Sequence, residues 1–345
     1  MCRCGFSTAR RTTPFPRSSP ATWCARSRPP AATPATASTP TSATIAGPAR
    51  SKSRGCSPGC SLSGAASAAR EPTEMGDLYL SCSSCVEAHR PLADALARIR
   101  ELGFAHVDLF AIESMEHIHP SQLAADSSGR LIRTIADAVA AAGLAVSSLN
   151  CGFSVPFTDT APARAQMERE YRALLELAHA VGCSLLTIGI GSYDDRVGRV
   201  ESFDRVLAGL KWLAALPTES PVRLSFEPHI GSPAEKPADA LYLARRLWPE
   251  VAVTYDPSHF VMQPDVASLA QTEPLLQYTV HVHVRNAAPG RMQTPMAEGA
   301  VDFAWLVDAL RRRGYAGALA IEYLDGAEDD ALKLRELLLA LGVGG

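Results

Sequence analysis

From residue 77 onward the chain repeats one unit eight times, a short apolar strand followed by a helical pattern, and nothing else limits its fold as tightly. The strands are DLYLSCS (77–83), HVDLFAI (106–112), AVSSLNC (145–151), SLLTIGIG (184–191), VRLSFEP (222–228), VAVTYD (251–256), YTVHVHV (278–284) and ALAIEYL (318–324). Helical periodicity follows them over roughly 89–102, 129–142, 161–181, 199–215, 237–247, 265–277, 303–313 and 328–341. Gly103, Gly143, Gly182, Gly314 and Gly342 each follow a helical run, where a left-handed residue ends a helix. Strands that alternate with helices pair in parallel. Eight such units in about 270 residues predict an α/β fold, a single-domain (β/α)8 TIM barrel. A doubly wound open sheet is the alternative, but no G-x-G-x-x-G follows the first strand.

Residues 1–74 carry none of this pattern. They hold 10 of the 25 prolines and ten Lys/Arg against two acids, a net +8. With −3 for the whole chain, residues 75–345 carry −11. The segment has almost no aliphatic side chains beyond Ala and cannot bury a core, so a disordered N-terminal extension is expected. Being rich in Arg, Ser and Thr and poor in acids, it reads as an organelle transit peptide. It also reads as translated sequence upstream of a start at Met75. Its prolines and lack of an amphipathic helix favour the second. The domain is then 75–345. No secretory h-region and no apolar run of ~20 residues occurs, so a cytoplasmic protein with no membrane partner is expected. An acidic domain also lacks the basic footprint of nucleic-acid binding. Cys82-Ser-Ser-Cys85 has no second pair to complete a zinc site and reads as small residues at a strand end.

Side chains alternate along a strand with period 2. Leu224 and Phe226 oppose Arg223, Ser225 and Glu227. Val251, Val253 and Tyr255 oppose Ala252, Thr254 and Asp256. Val280, Val282 and Val284 oppose Thr279, His281 and His283. Leu319, Ile321 and Tyr323 oppose Ala318, Ala320 and Glu322. The large apolar faces suit the layer under the helices and the small or polar faces suit the barrel interior. Glu227, Asp256, His283 and Glu322 are therefore expected to point inward near the C-terminal strand ends, where barrel enzymes carry their sites. Asp256, before Pro257, also reads as the start of a turn. Three carboxylates in one mouth repel one another unless a cation joins them. Three oxygen ligands and one imidazole suit one divalent metal ion, Mn²⁺, Mg²⁺ or Co²⁺, with Zn²⁺ left open.

The segments SFEPH, YDPSHF, HVHVRN and AEGAVDF…GYAGALAIEY resemble the signature segments of the xylose isomerase-like TIM barrel superfamily. Over residues 77–341 the chain is most similar to its sugar (phosphate) isomerases and epimerases, such as ketose 3-epimerases and hydroxypyruvate isomerases. The resemblance implies that Glu227, Asp256, His283 and Glu322 are metal ligands and that His259 contacts substrate. His281 reads as a core histidine or a partner of the ligand shell. His229, His117, Arg285 and Arg291 are candidate substrate-binding residues, with His117 and His119 in the loop ESMEHIHPSQ (113–122). Asp194-Asp195-Arg196 reads as a solvated loop. Two departures stand out: Arg285-Asn286 replaces the Lys-Asp of many relatives, and Glu298-Gly299-Ala300 replaces a G-x-G. The chain is more distantly similar to endonuclease IV. It lacks that enzyme's D-x-H, and its third strand ends in Asn150-Cys151-Gly152, so a three-metal site is not expected.

The resemblance implies proton transfer next to a carbonyl through a metal-stabilised enediolate, on a small carbohydrate substrate. Glu227 and Glu322 would be the acid/base pair and His259 an oxyanion donor. A lyase that dehydrates an inosose or 3-dehydroshikimate shares the enolate step and is the alternative. A nucleic-acid enzyme and a non-catalytic metal-binding regulator are weaker readings, and homo-oligomerisation is left open. Residues 75–345 produced alone are expected to match the full chain in melting temperature and metal binding. A large loss of either would show that residues 1–74 contribute to the fold.

Overall fold

The structure is a computed structural model and describes residues 77–345 apart from 219, 220 and 325. The extension expected at 1–74 lies outside the described residues. Strands β1 (Tyr79–Ser83), β2 (His106–Ile112), β3 (Ala145–Gly152), β4 (Leu185–Gly189), β5 (Arg223–Glu227), β6 (Val251–Tyr255), β7 (Thr279–Val284) and β8 (Ala318–Ile321) close into a barrel in sequence order. Every neighbouring pair is parallel, including β8 with β1. The end of the chain pins this closure: Gly344 donates to the Leu78 carbonyl and accepts from the Leu80 amide, both at 2.8 Å.

The helices are α1 (Leu92–Glu101), α2 (Pro120–Ala125), α3 (Arg130–Ala142), α4 (Ala161–Ala180), α5 (Arg199–Ala215), α6 (Pro237–Leu247), α7 (Pro257–Val261), α8 (Phe303–Arg312) and α9 (Glu328–Ala340). The five helix-ending glycines all have positive φ. Two short helices, α2 and α7, are additions to the expected pattern. Each opens on a proline, whose fixed φ suits a first helical turn. The helix expected over 265–277 is instead a 3₁₀ helix, Leu269–Tyr278. Pro274 lies inside it and has no N–H to offer an α-helical ladder. No helix among the described residues is long and apolar enough to cross a membrane.

The faces fall as the alternation requires. Leu224, Phe226, Val253, Tyr255, Val282, Val284, Leu319 and Ile321 join the apolar core. Burial of each such side chain contributes about 1.5–3 kcal/mol. The opposite face fills the barrel with small polar groups. Thr187, Ser225 and Thr254 hydroxyls bond one another at 2.7–3.2 Å and so leave no polar atom stranded. Register shifts on β3 and β7 each insert one residue, at Ser147 and Val280. Such bulges re-aim the next side chains along the strand, here Ser148 and His281.

The loop after β7 brings together one residue from each of the two sequence departures. The Asn286 carboxamide oxygen accepts from the amides of Ala287 (3.0 Å) and Val301 (3.2 Å), and its nitrogen donates to the Met296 carbonyl at 3.1 Å. A Cβ on Gly299 would overlap that carboxamide. Asn286 and Gly299 therefore form one packed unit that fixes the loop over the barrel mouth. Gly299→Ala is expected to cost about 1–3 kcal/mol by overpacking. The check is a lowered denaturant midpoint, with the Asn286→Ala/Gly299→Ala pair losing less than the sum of the single changes. An unchanged midpoint in Gly299→Ala would show that the loop yields freely.

Candidate active site

Asp256 follows β6 directly and does two things at once. Its Oδ1 accepts from the Ser258 amide at 2.7 Å, so it caps α7 as a turn-starting residue should. Its Oδ2 faces the barrel mouth, is buried, and accepts no hydrogen bond. The short helix that it caps carries His259 back over the mouth, with Nε2 3.6 Å from Asp256 Oδ2 and 4.0 Å from Glu227 Oε1.

Strand β7 supplies the centre of the site. His281, His283 and, beyond the strand, Arg285 lie two residues apart on its inward face and are all buried. His281 Nε2 lies 2.9 Å from Asp108 Oδ2 and 3.2 Å from Ser148 Oγ. His283 bridges two carboxylates, with Nε2 3.3 Å from Asp108 Oδ2 and Nδ1 2.8 Å from Glu227 Oε1. Glu322 Oε2 lies 3.6 Å from the same Nδ1. The other Glu322 oxygen accepts from the Asn150 amide at 2.8 Å. The guanidinium of Arg285 reaches Asp256 Oδ2 and Glu322 Oε2, each at 3.1 Å.

These contacts set the charges. Burial pushes every carboxyl in the cluster up, and the partners of each decide its final state. For Asp108 the hydrogen bonds from His281 and His283 outweigh burial and hold the acid well below the ordinary carboxylate range. For Glu227 the charge and hydrogen bond of His283 do the same. For Asp256 burial wins and the carboxyl is raised, and Glu322 is pushed up to about 7. Burial disfavours the His283 imidazolium, but the charges of Glu322 and Glu227 prevail and raise it. His259 is held neutral by burial and by the neighbouring His229 and Arg285.

Glu227, Asp256, His283 and Glu322 are thus brought together. Among the described residues, three buried groups can hold a metal ion: Asp108, His281 and His283; Glu227, Asp256 and His259; Glu227, His283 and Glu322. The four expected ligands fall in the last two groups, which share Glu227. Asp256 Oδ2 and Glu322 Oε2 are buried oxygens without a hydrogen bond. That donor set fits a divalent cation that favours oxygen and imidazole. His229 is half-buried and packs on His259, with ring centroids 3.9 Å apart. His117 is held outside the cluster, its Nε2 3.0 Å from the Arg90 carbonyl. Arg291 does not join the site: its exposed guanidinium pairs with Glu298 at 3.2 Å. Arg285 does join it, with three of its N–H groups directed at protein groups. Cys82 and Cys85 are buried free thiols, and Asp194 pairs with Arg196 on the surface.

Asp108 and Asn150 were not foreseen. Asp108 carried a legible signal, since it alternates with Val107, Leu109 and Ala111 on β2. Asp108→Asn would leave the histidines of β7 facing an amide in place of a carboxylate. It is expected to cost about 3–5 kcal/mol, as breaking a buried charged pair does. Urea denaturation checks this, and a cost below about 1 kcal/mol would show that the network relaxes around the change.

The xylose isomerase-like TIM barrel family matches residues 96–341. No curated protein matches the chain in sequence. Among solved structures, a xylose isomerase-like TIM barrel protein from Mycobacterium smegmatis, in complex with magnesium, is 19% identical. It covers 76% of this chain and 96% of its own, with a TM-score of 0.60. D-allulose 3-epimerase from Methylomonas sp. is 17% identical over 77% of this chain and 98% of its own, with a TM-score of 0.62. AP endonuclease family 2 from Brucella melitensis is 17% identical over 74% and 96%, with a TM-score of 0.55. With its eight-stranded parallel barrel and a family match that covers most of its length, the chain belongs to the xylose isomerase-like TIM barrel family.

Proposed function

We propose that the protein is a divalent-metal-dependent isomerase or epimerase of a small sugar or sugar phosphate, acting in the cytoplasm. One observation carries this reading. Two buried glutamates, Glu227 and Glu322, approach the same His283 nitrogen at 2.8 and 3.6 Å, beside the open oxygen of Asp256. Two carboxyls that reach one space from different strands can divide the roles of base and acid. Sugar epimerases among proteins of similar fold, one of them in complex with D-allulose, support a carbohydrate substrate.

Glu227, held ionised by His283, takes the proton from the carbon next to a substrate carbonyl. Glu322 returns a proton from the other side. His259 is neutral, and its Nε2 faces an Arg285 nitrogen at 2.9 Å. Its proton therefore resides on Nδ1, which is buried and without a partner. That N–H is available to a developing oxyanion. Glu227, Asp256, His283 and Glu322 would hold the metal, with Mn²⁺, Mg²⁺ or Co²⁺ as the suited ions. When bound, it supplies a Lewis acid that polarises the carbonyl and offsets the developing charge. Asn150 fixes Glu322 Oε1, so that Oε2 is the oxygen turned to the mouth.

Glu227→Gln and Glu322→Gln are each expected to lower turnover ~10²–10⁴-fold while still binding Mn²⁺, more weakly. The assay is a screen of ketoses, with solvent deuterium entering the carbon next to the carbonyl during turnover. One Gln variant should wash in deuterium without forming product. Near-wild-type turnover in both variants would move the bases elsewhere. Turnover of an inosose or 3-dehydroshikimate, with no ketose activity, would replace the isomerase reading with the lyase.

A further inference from the structure

Arg285 occupies the mouth of the barrel and has no part in the proposed chemistry beyond its contact with His259. Its guanidinium is buried there and makes five contacts. Nε donates to Ser258 Oγ at 3.1 Å, and Nη1 donates to the Glu322 carbonyl at 3.2 Å. Nη2 lies 2.9 Å from His259 Nε2. The two ion-pair contacts are those to Asp256 Oδ2 and Glu322 Oε2. Both oxygens are without a hydrogen bond, and three of the five N–H groups of Arg285 are directed at the serine, the carbonyl and the histidine. The guanidinium therefore neutralises the two carboxylates and leaves their lone pairs open. Those are also the lone pairs that a divalent cation would take. The same arginine covers His259 Nε2, which otherwise completes a second ligand group with Glu227 and Asp256.

We propose that Arg285 is a built-in counter-ion that competes with a divalent cation for Asp256 and Glu322. It holds the cradle together when no metal is bound, and its withdrawal from those two oxygens sets the affinity for metal. The inference rests on the metal-dependent reading of the site. Three buried carboxylates facing one another are costly without compensation, and His283 alone does not reach all three. Arg285 supplies the missing charge from the same strand. A divalent ion at the same oxygens places like charge against the guanidinium, so both cannot hold those oxygens at full strength.

The test is metal binding by the full chain, stripped with EDTA and titrated with Mn²⁺ by calorimetry, alongside melting curves without metal. Arg285→Met keeps the stem and removes the charge. A competitor that fills the cradle nine-tenths of the time weakens binding about tenfold, so this variant should bind Mn²⁺ about tenfold more tightly. Its metal-free melting temperature should fall by about 5–10 °C, and the gain on adding Mn²⁺ should widen. Arg285→Lys should stay close to wild type in affinity. In the unaltered protein, the Arg285 Nε–H resonance should shift when diamagnetic Mg²⁺ is added, a readout that needs no variant to fold. Unchanged or weaker Mn²⁺ binding in Arg285→Met, or an Nε–H resonance that Mg²⁺ saturation leaves in place, overturns the competition while leaving the metal reading intact. Failure of both wild type and Arg285→Met to bind Mn²⁺ removes the metal reading and this inference with it.

Discussion

Carboxylates buried at one end of a barrel need hydrogen-bond donors and opposite charges within a few ångströms, and here a single strand supplies them. His281, His283 and Arg285 climb the inward face of β7 and its continuation. Each meets carboxylates from other strands: His281 meets Asp108, His283 meets Asp108 and Glu227, and Arg285 meets Asp256 and Glu322. Four strands bring acids and one brings donors. An isolated buried carboxylate costs several kcal/mol, and only well-placed partners offset it. The arrangement persists because the parallel barrel holds the ends of β2, β5, β6, β7 and β8 at one mouth.

The barrel does this with local rules. Strand alternation sends large apolar side chains under the helices and small polar ones inward. The hydroxyls of Thr187, Ser225 and Thr254 bond to one another and leave the upper layer to the charged groups. The bulges on β3 and β7 set the aim of Ser148 and His281, which flank Asp108. Asp256 serves fold and site together: one carboxylate oxygen caps α7 and the other faces the mouth.

The strands and the three inward acids and one histidine were legible because period-2 alternation is a property of neighbouring residues. Apart from Asp108, whose signal was local, what was missed depends on distant ones. Asn150 meets Glu322 across 172 positions, and nothing in its own segment signals a carboxylate partner. Arg285 was readable as inward-facing from its spacing to His281 and His283. That its long side chain turns onto the acids instead of waiting for substrate depends on reach, which spacing does not encode. Arg291 and His117 sit in loops, where backbone turns decide the direction of a side chain. His117 adopts a positive φ and is tied to Arg90, whereas Arg291 sits in a short hairpin opposite Ala288 and pairs with Glu298 on the surface. The 3₁₀ segment reads as an ordinary helix by its periodicity, although Pro274 gives a local warning.

The same strand also makes two chemically identical side chains unequal. Glu227 and Glu322 are both buried, and burial alone would raise both. Glu227 feels the charge of His283 and receives its hydrogen bond at 2.8 Å, and its pKa falls below the ordinary value. Glu322 receives a neutral amide from Asn150 on one oxygen. On the other it has charge nearby but no hydrogen bond, and burial holds it near 7. Charge at a distance and a proton shared at contact are not equivalent stabilisers of a carboxylate. His283, by its charge and its contact with Glu227, outweighs burial at one glutamate and not at the other.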